Sequence, residues 1–221
     1  TKADKLWIIS NDNHPNDKST PYMEKIKKEC KKMGVEVKVA YSDRLSLFKA
    51  IKSIKDIISE EKGNYIYVNV ASGSKIQAIA CMMACMVLKE CDNLQPFYAE
   101  PESYAAFEGK QQSFGIKDTI ALPTYEIQTP QPKLLAALKI VADQPNQKIT
   151  KKEMAQIAED QKIITINAEQ ENHSQARFAS LDKNIIAPLE KEWKFIEVEK
   201  IGRNRWIKIT QEGKDAAEFL I

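Results

Sequence analysis

Through residue 128, short apolar runs alternate with stretches of helical spacing. Residues 6–10 (LWIIS) are an apolar run that ends in a polar cluster at 11–17, which predicts a buried strand and then a loop. Residues 21–33 place Tyr22, Ile26, Cys30 and Met33 on one helical stripe, and Gly34 follows as a stop. Alternation at Val35, Val37, Val39 and Tyr41 predicts a second strand. Apolar residues at 47, 48, 51, 54, 57 and 58 predict an amphipathic helix that ends at Gly63. The apolar, β-branched run at 65–70 predicts a third buried strand, and residues 76–89 a helix after it. Residues 95–99 add a further strand. Strands alternating with such helices predict a mostly parallel sheet covered on both faces, with ligands bound beyond the carboxyl ends of its strands.

The pattern changes near Thr129. Pro123, Pro130 and Pro132 punctuate residues 122–133, an extended linker. Helical spacing resumes at 134, 135, 138 and 141. Thr150 with Glu153 has capping-box spacing ahead of Met154, Ile157 and Ala158. Residues 161–171 are ambiguous and fit a loop with a short strand at 163–166. A long helix is predicted over 173–193, with Phe178, Leu181, Ile185 and Leu189 along one side. Residues 195–199 and 206–209 then flank a hairpin with Gly202, Arg203 and Asn204 at its tip, and Thr210 caps a last helix. Helices, a β-hairpin and a closing helix make a winged helix-turn-helix pattern. The organisation expected is thus two domains, 1–128 and 129–221.

Charge narrows the partners. The 221 residues carry 33 Lys plus Arg against 31 Asp plus Glu, a net +2, which excludes a uniformly basic polyanion binder but not a local patch. Residues 128–221 hold 15 basic against 14 acidic side chains, so location matters more than total. Lys148, Lys151 and Lys152 cluster at one helix start, and Arg203, Arg205 and Lys208 on the hairpin. No run of 18 apolar residues is present, so no membrane partner is expected. Of the four cysteines, Cys81 and Cys85 sit one helical turn apart, but no His lies near them in sequence. They are expected to be buried apolar side chains, with no metal and no cofactor. Free thiols without an N-terminal apolar signal region point to the cytoplasm.

The candidate chemistry lies at residues 69–75, N-V-A-S-G-S-K. Small residues after a strand let the backbone turn tightly and approach a ligand, and a helix beginning near Lys75 directs its free amides at that turn. Ser72, Gly73, Ser74 and Lys75 therefore suit a phosphate-bearing ligand, although a plain strand-to-helix turn needs the same small residues. Asn69 suits either ligand contact or a bond that orients the turn. The loops at 11–17, 41–44 and 100–104 would share that edge of the sheet. Asn11 and Asp12, with Asn13 and His14, fit base or ribose contacts, or a solvated turn. Tyr104 is placed to stack on a base. The first strand–helix turn has no glycine, which argues against a nicotinamide dehydrogenase.

This turn resembles the N-x-T-G-G-T-K turn of CARF domains, the Rossmann-like sensors of CRISPR-associated proteins that bind cyclic oligoadenylates. Asn69, Gly73 and Lys75 match outright, Ser74 stands for Thr, Ala71 for the first Thr, and Ser72 for the first Gly. Residues 182–198, DKNIIAPLEKEWKFIEV, resemble the recognition-helix-to-wing passage of winged helices fused to such domains in archaeal regulators. The resemblance implies a homodimer with one ligand pocket across its two-fold axis and a DNA-binding effector domain. It implies a Rossmann-like sensor over 1–128 that binds a cyclic oligoadenylate or other nucleotide at the turn, so the ligand contacts expected are Asn69, Ser72, Gly73, Ser74 and Lys75, joined by Asn11, Asp12 and Tyr104 from the neighbouring loops. In the winged helix-turn-helix domain over 129–221, Ser174, Gln175 and Arg177 open the expected recognition helix, where polar side chains reach base edges of double-stranded DNA. Arg203, Asn204 and Arg205 on the wing, with Lys151 and Lys152, would meet phosphates or the minor groove. The function expected is a ligand-responsive transcriptional regulator rather than an enzyme. Two alternatives stay open: a metal-independent phosphodiesterase that cleaves cyclic oligoadenylate in the same pocket, and an interaction module whose winged helix binds protein.

Overall fold

The computed structural model describes residues 3–11, 19–43, 45–89, 91–104, 113–167 and 169–221. The chain divides into two compact units, Thr1–Gln128 and Thr129–Ile221.

The first unit begins with β1 (Lys5–Asn11), α1 (Thr20–Lys32), β2 (Glu36–Ser42) and α2 (Leu47–Glu60). It continues with β3 (Ile66–Asn69), α3 (Lys75–Val87) and β4 (Leu94–Glu100), and closes with β5 (Ser103–Tyr104), β6 (Ser113–Phe114) and β7 (Asp118–Ala121). β1 pairs parallel with β2, which brings Asn11 beside Ser42 at their carboxyl ends. β3 pairs parallel with β4, and β7 joins the far side of β4 antiparallel. β5 and β6 pair antiparallel, so among the described residues the unit has two parallel pairings and two antiparallel ones, and the β1–β2 pair is not hydrogen-bonded to β3–β4–β7.

The core of this unit lies on α2 and α3. Ile51, Ile54 and Ile58 of α2 are buried, and so are Ala80, Cys81, Ala84 and Cys85 of α3. The small side chains of α3 allow α2 to approach closely. Burial pushes the thiol of Cys81 up to about 11 and that of Cys85 up to about 12, so both stay protonated at neutral pH. Near β1 a buried carboxylate, Glu61, accepts hydrogen bonds from Lys5 Nζ at 2.8 Å, Trp7 Nε1 at 2.9 Å and Asn64 Nδ2 at 2.9 Å.

Two expectations are corrected here. α1 buries Met23 and Cys30, whereas Tyr22, Ile26 and Met33 are exposed. Its buried side is the 23–30 row, rotated from the expected stripe and sharing only Cys30 with it. The third strand is only half-buried: Ile66 and Val68 point inward by the two-residue alternation, while Tyr65 and Tyr67 are exposed.

The second unit comprises α4 (Pro132–Ala142), β8 (Lys148–Thr150), α5 (Lys151–Asp160), α6 (His173–Leu181), β9 (Ile196–Ile201), β10 (Asn204–Ile209) and α7 (Gln211–Leu220). β9 and β10 form the hairpin, and β8 adds a third antiparallel strand along β10, with Ile149 opposite Ile207. Leu138, Val141, Met154, Leu181, Ile185, Leu189 and Ile207 are fully buried, each contributing about 1.5–3 kcal/mol. Thr150 caps α5 with the capping box reciprocated by Glu153, as the spacing predicts.

The long helix does continue past α6 to Glu192, but in widened turns. The amide of Ala187 donates to Asp182 O and that of Trp193 to Pro188 O at 3.0 Å, each spanning five residues. Pro188 has no N–H to give, and a local widening of the turn accommodates its ring without breaking the rod. Residues 163–167 form neither helix nor strand, so the short strand expected at 163–166 is absent and that stretch is loop.

Candidate functional site

The turn between β3 and α3 is held by its own side chains. Asn69 Oδ1 accepts the amide of Ala71 at 2.8 Å, so Asn69 orients the turn. Ser74 caps α3: its hydroxyl accepts Gln77 N at 3.2 Å, and Gln77 Oε1 accepts Ser74 N at 2.8 Å. Gln77 does not stand out by its chemistry alone, yet Ser74-x-x-Gln77 is a capping-box spacing that marks it in the sequence. Gly73 adopts φ +86, and a Cβ on it would lie 2.7 Å from Gln77 Oε1. A side chain at this position is therefore both conformationally strained and obstructed. Residues 71–75 are exposed. The amides of Lys75 and Ile76, at the first positions of α3, have no hydrogen-bond partner among the described residues, and the Lys75 ammonium has no ion-pair partner there. The turn thus offers two amides, two hydroxyls and one ammonium on a rigid frame.

Of the other residues expected at this edge, Asn11 ends β1 opposite Ser42. Asp12, with Asn13, His14 and Arg44, lies outside the described residues. Tyr104 is exposed, its hydroxyl 3.3 Å from that of Tyr98 on β4, and this bond is the main cause of its raised phenol pKa. Glu100 is engaged by Lys117 at 3.0 Å.

In the second unit the expected contact residues separate into two groups. Lys152, Ser174, Gln175, Arg203, Asn204 and Arg205 are exposed. The hairpin turns at Gly202 and Arg203, with Asn204 already paired to Ile201, so the tip is one residue tighter than expected. Lys151 and Arg177 instead hold the unit together. Lys151 is only 12% exposed and its ammonium lies 2.5 Å from Asp182 Oδ2. Arg177, 16% exposed, ion-pairs with Glu159 Oε2 at 3.1 Å and donates to Gln156 Oε1. Glu159 also meets His173 Nε2 at 2.9 Å. No local pattern marks Glu159, because its partners stand on the next helix. Lys148 and Lys208 are likewise paired, with Glu199 at 3.4 Å and Glu197 at 3.0 Å. Lys148 and Lys208 are therefore neutralised at the wing base, and the other exposed cations of the wing are Lys200, Arg203 and Arg205, with Lys200 opposite Arg205 in the hairpin.

Residues 133–221 match the family model described as the DUF6293 C-terminal winged helix domain. The second unit is a winged helix domain. Residues 1–104 match a second family model, described as "HFX_2341_N:-like, N-terminal". Among curated proteins, the chain is similar to the uncharacterized protein MJ1513 of Methanocaldococcus jannaschii. The two are 25% identical over 185 residues, which covers 72% of this chain and 55% of that protein. Among solved structures, it is similar to Can2 from Sulfobacillus thermosulfidooxidans, solved in complex with cyclic tetra-adenylate. That similarity has a TM-score of 0.37 and 12% identity over 97% of this chain and 56% of the other. The chain spans just over half the length of each of these proteins.

In the winged helix domain, α5 and α6 are the helix pair of the helix-turn-helix, and β9–β10 is the wing. No helix among the described residues is long and apolar enough to cross a membrane.

Proposed function

We propose that the chain is a ligand-responsive transcriptional regulator. In this reading its first unit binds a cyclic oligoadenylate or related nucleotide at the 69–75 turn, and its winged helix domain binds double-stranded DNA. The observation that carries the reading is the pairing of a rigid, exposed anion-type turn with a winged helix domain on one chain. A lysine at the first position of a helix opposes the helix dipole by about 0.3–1 kcal/mol. An anion over the turn reverses that sign, because it meets Lys75 and the free amides together. Ser72 and the backbone at Gly73 would lie against the ligand, Asn69 and Gln77 would hold the turn in shape, and Tyr104 and Asn11 would rim it. On the DNA side Ser174 and Gln175 would face base edges, with Lys152, Arg203 and Arg205 against phosphates. Lys151 and Arg177, already paired within the domain, would support these contacts rather than make them. Ligand and DNA would be coupled as a population shift between two arrangements of a homodimer, limited by the ligand's differential affinity for them.

The DNA half is tested by fluorescence anisotropy on a labelled duplex across a salt series. Arg203→Ala with Arg205→Ala should weaken binding to every duplex and lower the salt slope by about 2, one for each lost phosphate contact. A wild-type protein that binds no duplex even at low salt ends the DNA reading.

A further inference from the structure

The carboxylate of Glu159 stands near the end of α5 and faces the first turns of α6. It meets His173 Nε2 at 2.9 Å and Arg177 Nη1 at 3.1 Å. The same Arg177 nitrogen donates to Gln156, one turn earlier on α5. The guanidinium is largely covered, and its Nε is buried without a partner among the described residues. A buried donor left unpaired is ordinarily costly, so the group is held by what fixes its other end. That end is the Glu159–Gln156 pair. His173 and Arg177 thus face α5 one helical turn apart, while Ser174 and Gln175 between them are exposed. Any tilt of the first turn of α6 would move Ser174 and Gln175 and would also break one of the two Glu159 contacts. The buried apolar residues further along the same rod, Leu181, Ile185 and Leu189, anchor its far part and lie beyond this turn.

We infer that Glu159, through His173 and Arg177, is the positioning residue that sets the angle at which the start of α6 is presented, and so sets sequence discrimination rather than overall DNA affinity. The inference rests on the DNA-binding reading above for its consequence, but not for its geometry. In that reading Glu159, His173 and Arg177 pair with one another rather than with phosphate. Loss of these contacts therefore leaves the cationic wing, and the salt dependence that the wing supplies, as they were.

The experiment compares wild type, Glu159→Gln and the charge-exchanged pair Glu159→Arg with Arg177→Glu. Two readouts are taken. The first is hydrogen exchange of the amides at 173–180, measured without DNA. Glu159→Gln should speed exchange there roughly tenfold or more, and leave the control amides of Ile185 and Leu189 unchanged. The second readout is the ratio of Kd values for a random duplex and for a duplex enriched by the wild-type protein from a randomised pool. Glu159→Gln should lower that ratio about tenfold with the random-duplex Kd and the salt slope unchanged, and the charge-exchanged pair should recover part of it. Unchanged exchange at 173–180 overturns the positioning role. An unchanged ratio, or equal weakening on both duplexes, overturns its link to discrimination. Should the wild-type protein bind no duplex, the DNA reading fails by itself, and the exchange readout still decides the geometry.

Discussion

Glu61 shows what single residues contribute that their neighbours in sequence do not announce. Its carboxylate is held well below its ordinary range, from 4.5 down to about 2, first by the hydrogen bond from Lys5 and then by that from Trp7. Both donors lie on β1, more than fifty positions away in the chain. A carboxylate with a depressed folded pKa stabilises the fold above its unfolded value, and that stability is lost as pH falls from about 4.5 toward 2. Urea titrations of wild type and Glu61→Gln should therefore show a gap that is full at neutral pH and closes across that window. A gap that stays constant with pH would contradict the assignment. The turn residues behave differently. Ser72, Gly73, Ser74 and Lys75 stand out in the sequence because their chemistry is local: small side chains, a cap and a cation within a few positions. Lys151 and Arg177 were legible only as charges, since their acidic partners, Asp182 and Glu159, lie far from them in the chain.

Elements were legible where one face is buried and the caps are local. Thr150 with Glu153, and Thr210 ahead of α7, mark their helices in the sequence and in the structure alike. The extent of α1 is legible in the sequence but its rotation is not, because Tyr22, Ile26 and Met33 make as good an apolar stripe as the buried Met23–Cys30 row. The short strands β7 and β8 left no periodic signal, being too brief to alternate more than once or twice. The seat of α7 depends on Gly213, where a Cβ would come within 2.1 Å of Phe195 O. That carbonyl accepts the amide of Thr210 at 2.9 Å, and the Thr210 hydroxyl in turn accepts Gly213 N at 3.0 Å. Gly213→Ala should push α7 off this corner and cost about 1–3 kcal/mol, read as a lower urea midpoint with an unchanged slope. A midpoint equal to wild type would show that α7 tolerates the added methyl.

For the whole molecule, the proline-punctuated stretch and the change from strand–helix alternation to a winged helix pattern marked two parts of different construction. The structure has two compact units, and the second is a winged helix domain. The proposed sensing by the first unit depends on the turn at 69–75. Native mass spectrometry of the wild-type protein and of Lys75→Ala, each with a panel of cyclic and linear oligoadenylates, tests it most directly. Wild type should retain a cyclic oligoadenylate, and Lys75→Ala should bind it roughly ten- to a hundredfold more weakly, the loss of a charge-assisted contact worth about 1.5–3 kcal/mol. Retention of no nucleotide by the wild-type protein, or equal retention by both proteins, would contradict it.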